Sequence, residues 1–140
     1  MEWNDAIEDP EKEKVRLEKL ISENTKDAES YYKLGEVYEN IGDDSKAIEY
    51  CEKALEIDPD NMLYLTFLIF LTLNYDNQKA FDTLAKFIEL GPDEGDYYTE
   101  RVIDELGCGD DEFSLKYIEN LRKEGKEHVA HTMERWIWNP

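Results

Sequence analysis

The chain has 140 residues, with 35 Asp or Glu against 16 Lys or Arg, and so a formal net charge of −19. That length suits a single domain, and 41% hydrophobic residues are enough to bury a core. The acid excess disfavours nucleic acid and anionic lipid and favours basic proteins or peptides, with plain solubility as the competing explanation.

The opening residues Met1, Glu2, Trp3, Asn4 and Asp5 are acidic and contain no apolar segment of the secretory type. The longest apolar stretch, 62–73, would span ~18 Å as a helix, short of the ~30 Å of a bilayer core. Two cysteines, Cys51 and Cys108, make no disulfide framework, and a reducing cytoplasm is the expected address.

Asp9 followed by Pro10 predicts an N-cap and a first helical turn, opening a helix over 10–24. Its apolar stripe is Leu17, Leu20 and Ile21. This segment reads as an N-terminal half-repeat or a capping helix.

The segment 28–61 predicts a helix pair, with the first helix near 29–40 and the second near 45–57. Gly42, Asp43 and Asp44 supply the turn, with an Asp available to cap the second helix. Gly35 and Ala47 lack bulk, so the two helices can approach closely, and Leu34 and Tyr38 fill the space beside them. Asp58 before Pro59 ends the second helix, because a residue preceding proline avoids the helical region.

A second pair is expected over 62–94. Its first helix, 62–74, is apolar almost all round. Its second carries Ala80, Leu84 and Phe87 at the packing places and stops at Gly91 and Pro92. A third pair is expected over 95–125, with Tyr98, Val102, Ser114, Ile118 and Leu121 packing. There Gly109, Asp110 and Asp111 repeat the Gly42 turn 67 residues later. A last helix over 126–138 carries Val129, Met133, Trp136 and Ile137 on one stripe and is expected to cap the stack.

Tyr31, Leu34, Gly35 and Tyr38, followed by Ala47, Cys51, Ala54 and Pro59, carry the spacing of a 34-residue helical repeat. On these residues the chain resembles the tetratricopeptide repeat family, from about Leu17 to Leu121. Tyr31 stands where tryptophan is usual and Cys51 where phenylalanine is usual. The later two repeats are degenerate. The resemblance implies an all-α solenoid of antiparallel helix pairs within one domain. It also implies a non-catalytic scaffold that binds a peptide in the groove lined by the first helix of each pair.

Carried over by position, the groove residues of the first repeat are Glu29, Tyr32, Glu36, Glu39 and Asn40. Those of the second are Leu63, Thr66, Phe70, Leu73 and Asn74, with Phe67 beside them. Those of the third are Asp96, Thr99, Ile103 and Leu106. Some family members hold a ligand's terminal carboxylate with lysine, asparagine and arginine at such places. Tyr32 and Glu36 take the first two of them here, which argues against that ligand.

Glu29, Glu36 and Glu39 share a helical face and favour Lys or Arg in a ligand, or else form a solvated acidic face. The apolar helix over 62–74 offers a contact patch, or lies buried under the C-terminal segment with Trp136 and Trp138. The expected function is a module that binds a basic and apolar peptide segment of another protein. The alternatives are self-assembly through 62–74 or through the last helix, and an acidic binder or chaperone of basic proteins.

No cofactor, metal site or catalysis is expected. His128 and His131 read as surface histidines of a helix. Cys51 reads as a small buried residue and Cys108 as an incidental thiol in an acidic turn. No nucleophile and base pairing and no phosphate-cradling glycine loop stand out.

Overall fold

The protein is described by a computed structural model that covers residues 8–107 and 111–138. The expectations for residues 1–5, for Cys108 and for the turn at Gly109 and Asp110 lie outside the described residues. Among those described there are eight helices and no strand. They are α1 (Pro10–Glu23), α2 (Ala28–Ile41), α3 (Asp44–Ile57), α4 (Met62–Thr72), α5 (Asn77–Glu89), α6 (Tyr97–Leu106), α7 (Asp111–Lys123) and α8 (Glu127–Trp138). The all-α helical-repeat class expected from the sequence is the class the chain forms. The chain folds into two compact units, one running up to Leu71 and the other beginning at Thr72.

Local chemistry sets most helix ends. The side chains of Asp9, Asp27, Asp43, Asp76 and Asp96 each accept a backbone N–H at the start of α1, α2, α3, α5 and α6. Asn61 does the same for α4, where it accepts from the Tyr64 N–H at 3.1 Å. Each cap satisfies a donor that the first turn leaves without an intrahelical partner. The α2–α3 turn closes with Gly42 at φ 98°, its N–H bonded to the Tyr38 and Glu39 carbonyls, and with the Asp43 N–H returning to Tyr38. This is the left-handed helix ending that glycine permits without steric cost.

In the first unit α1 packs on α2, and α2 on α3. Gly35 is what lets α2 approach its neighbours. A Cβ there would lie 3.2 Å from the Ala47 carbonyl oxygen and 3.3 Å from the Phe67 ring. The core of this unit holds Tyr32, Ile48, Cys51, Ala54, Tyr64, Phe67 and Leu68. Tyr32 stacks on Tyr64 at 4.8 Å and meets the Phe67 ring edge-on at 5.3 Å. Leu17, Leu34 and Val37 form a second cluster under α1, flanked by Ile21, Tyr38 and Tyr50. Burying one such aromatic or aliphatic side chain contributes about 1.5–3 kcal/mol. The stripe expected for α1 therefore packs at Leu17 and partly at Ile21, while Leu20 stays at the surface.

α4 ends at Thr72, two residues before the expected end. Asn74 turns to φ 67°, a left-handed conformation, and its N–H donates to the Asn77 side chain at 2.8 Å. Asparagine tolerates that region because its short polar side chain costs little there.

In the second unit α8 packs against α5, α6 and α7. Val129, Ala130, Met133, Trp136 and Ile137 are all buried. Trp136 lies with its ring centroid 6.2 Å from that of Phe87 and donates its indole N–H to Glu94 at 3.1 Å. Arg135 grips the same carboxylate with two bonds of 2.7 and 2.6 Å. Arg122 pairs with Glu127 and Glu134 across the α7–α8 turn. That turn closes on Gly125 at φ 79°.

Candidate functional site

The face of α2 that meets α4 carries the residues most able to recognise a ligand. Tyr32, Glu36, Glu39 and Asn40 fall at i, i+4, i+7 and i+8, so they share one side of the helix. Tyr32 is anchored in the core by its two aromatic contacts, and its hydroxyl donates to Glu36 Oε2 at 3.2 Å. That bond orients Glu36. Burial nonetheless raises the Glu36 carboxyl above its ordinary value, with the Tyr32 bond and Lys33 opposing the shift and Glu39 adding to it.

Glu39 lies one turn further on and is half-buried. Burial raises its carboxyl first, and the Asp44 charge adds to that. Its Oε2 is enclosed and has no hydrogen-bond partner among the described residues. A carboxylate in that condition lacks compensation for lost water, and a donor brought by another molecule would supply it.

The other predicted groove residues divide by burial. Glu29 is exposed and pairs with Lys33 at 2.9 Å, so its charge is already countered one turn away. Leu63 and Phe70 of α4 are half-buried, and so is Asn40. Thr66 and Phe67 are buried, which corrects their reading as ligand contacts. Thr66 bonds the Leu63 carbonyl at 2.8 Å, and Phe67 fills the space over Gly35. The ring of Tyr32 is likewise core, at 4% exposure, and its hydroxyl bonds Glu36.

In the second unit Thr99 is buried and Leu106 is core, which again corrects an expected ligand contact. Leu73 and Ile103 are half-buried, Asn74 is exposed, and Asp96 is used as the cap of α6. The apolar patch read over 62–74 is thus mostly interior, since residues 64–69 are all buried. A helix apolar all round is one that packs all round.

Neither cysteine chemistry nor metal chemistry joins this face. Cys51 is fully buried, and burial pushes its thiol up, away from the reactive form. His128 and His131 are exposed on α8, and no cluster of metal-ligating side chains occurs among the described residues. No described helix is long and apolar enough to cross a membrane.

Sequence reasoning missed two groups. One is the Glu94, Arg135 and Trp136 cluster, whose members are 41 and 42 residues apart. The other is a cleft between α5 and α7 lined by Asp82 and Tyr117, whose hydroxyl donates to that carboxylate at 2.7 Å. A helix-face plot of α5 shows Gln78, Asp82, Ala85 and Glu89 in one row, and that was the available signal.

Residues 28–61 match the family model of the tetratricopeptide repeat. The matched segment is the helix pair α2–α3, with its close approach at Gly35. Such a repeat marks a module for protein–protein interaction, and proteins built on it are generally non-enzymatic scaffolds. An uncharacterized protein of Methanocaldococcus jannaschii is 51% identical over 39 residues, which is 28% of this chain and 45% of that protein. The matched segment thus spans less than half the length of that relative.

Proposed function

We propose that the α2 face of the first unit binds a segment of another protein that presents a basic residue beside an apolar one. The observation that carries this reading is the pair of half-buried carboxylates, Glu36 and Glu39, set beside α4 with its half-buried Leu63 and Phe70. A Lys or Arg head group placed there makes charge-assisted bonds, which are roughly twice as strong as neutral ones. It also supplies the donor that Glu39 Oε2 lacks. The apolar neighbour on the ligand packs on Phe70 and Leu63. A ligand ending in a carboxylate is repelled.

The test is capture of a partner from native extract by wild type and by Glu36→Gln/Glu39→Gln, at low and high salt. Loss of the partner in the variant, with retention by wild type at high salt, supports recognition by this face. A partner kept by the variant and lost in salt assigns binding to the overall charge of −19 instead. Phe70→Ala, checked for an unchanged melting curve, tests the apolar half of the site. Self-association through α4 or α8 is the weaker reading, because the apolar side chains of both helices are largely used in packing.

A further inference from the structure

The second unit contains a cleft of about 580 Å³ between α5 and α7, reaching to the start of the α7–α8 turn. That volume lies within the range of roughly 300–1,000 Å³ found for ligand sites. Ala85 and Leu121 supply the apolar part of its lining. Tyr117 forms one wall. Its ring is held by Phe81 at 5.4 Å and Phe113 at 6.2 Å, and its hydroxyl is held by Asp82. The wall is therefore rigid before any ligand arrives. The lining on α5 runs from Gln78 to Glu89, ~16 Å of helix, which matches about five residues of extended chain.

We propose that this cleft is a second peptide-binding site, which takes an arginine side chain presented by another protein. The arginine stem lies on Ala85 and Leu121, and the guanidinium meets Glu89 and Glu124 beside the Tyr117 ring. Charge identifies the occupant. Asp82, Glu89 and Glu124 line the cleft against Lys86 and Lys126, an excess of one carboxylate, and Asp82 meets the Tyr117 hydroxyl. Burial and then the Asp82 bond raise the phenol well above its ordinary value, with the charges of Glu124 and Glu89 adding to the effect. Phenol ionisation therefore takes no part at neutral pH.

Two lysines also reach the cleft. Lys126 lies 3.8 Å from Glu124, an exposed pair of little strength that an arriving cation can displace. Arginine fits better than lysine, because its planar, weakly hydrated fork lies flat on an aromatic wall and bonds carboxylates in pairs. This site is in the other unit from the α2 face, uses none of its residues, and stands or falls independently of it.

The experiment uses the full chain labelled with nitrogen-15, titrated with the blocked pentapeptide Ala-Ala-Arg-Ala-Ala and with its glutamine counterpart. The expected result is a saturable shift of the backbone amides of Ala85, Lys86, Tyr117 and Leu121 with the arginine peptide. Binding should weaken about tenfold or more for the glutamine peptide and for Glu89→Gln/Glu124→Gln. Both glutamates are exposed, so the variant should keep the wild-type melting curve. The proposal is overturned by equal affinity for the two peptides, by a double variant that binds as wild type, or by shifts confined to other residues. Shifts on α2 that vanish in Glu36→Gln would assign the arginine to the first face and remove this one.

Discussion

The helix pair α2–α3, which matches the repeat model, and the pair α6–α7, which lies outside that match, solve the packing problem differently. The first pair uses missing atoms, with Gly35 facing Ala47 and the small Cys51 and Ala54 beyond. The second packs through the bulkier Val102, Ser114, Ile118 and Leu121, all buried, with α8 laid against its helices. Repeat position decides which side chain points inward. Side-chain volume then decides how close the helices come and what else is needed to close the core. The acids differ in the same way. Glu36 and Glu39 are half-buried with little compensation, whereas Glu94 is held by Arg135 and Trp136.

The largest expected effect is on the side that depends on α8. Trp136→Ala should cost about 4 kcal/mol of stability by urea denaturation, since it empties a fully buried indole site. A loss under about 1 kcal/mol would mean that α8 adds little to the core of the second unit. Next comes close approach. Gly35→Val should cost about 3 kcal/mol, because the new atoms meet the Ala47 carbonyl and the Phe67 ring. In α6, Val102→Ala should cost about 2 kcal/mol for the opposite reason, a cavity. If Gly35→Val were neutral, the contrast between the pairs would not hold.

The two smallest effects carry opposite signs. Glu94 has a lowered carboxyl, chiefly through the Arg135 bonds. Its contribution is complete above the ordinary carboxyl range and is lost as pH falls through the lowered value. Both side chains are more than a third exposed, so solvent screening keeps Glu94→Gln to about 1 kcal/mol or less at neutral pH. Glu39 has a raised carboxyl. Its stabilising protonation is complete below the ordinary range and is lost as pH rises through the raised value. Glu39→Gln should therefore stabilise by about 0.5 kcal/mol near neutral pH, after the same discount, and the gain should vanish in acid. Thermal melts of both variants across pH should move in opposite directions.

Much of this was legible in the chain. The Asp9, Asp43 and Gly42 signals marked helix ends within one or two residues, because capping is local and depends on adjacent atoms. Gly35 announced a close approach before any neighbour was known. The ligand face was read less well. Tyr32, Thr66, Phe67 and Thr99 sit at places that the resemblance assigns to the groove, yet they are buried. Periodicity gives the direction of a side chain but not what will lie over it. The Glu94 cluster and the α5–α7 cleft join residues 35 to 42 apart in sequence, a distance at which no local pattern operates.

Among the described residues five helices begin on an aspartate that serves as a cap, and this separates the chain's acidity from its architecture. Asparagine caps a helix about as well as aspartate. Replacing all five would move the net charge from −19 to −14 while leaving each first turn with its acceptor. A good share of the charge is thus interchangeable with neutral residues at little structural loss. Colloidal behaviour and encounter rates with cationic molecules can drift in such a lineage while the scaffold stays put. A chain so altered would elute earlier from an anion exchanger and melt at nearly the same temperature.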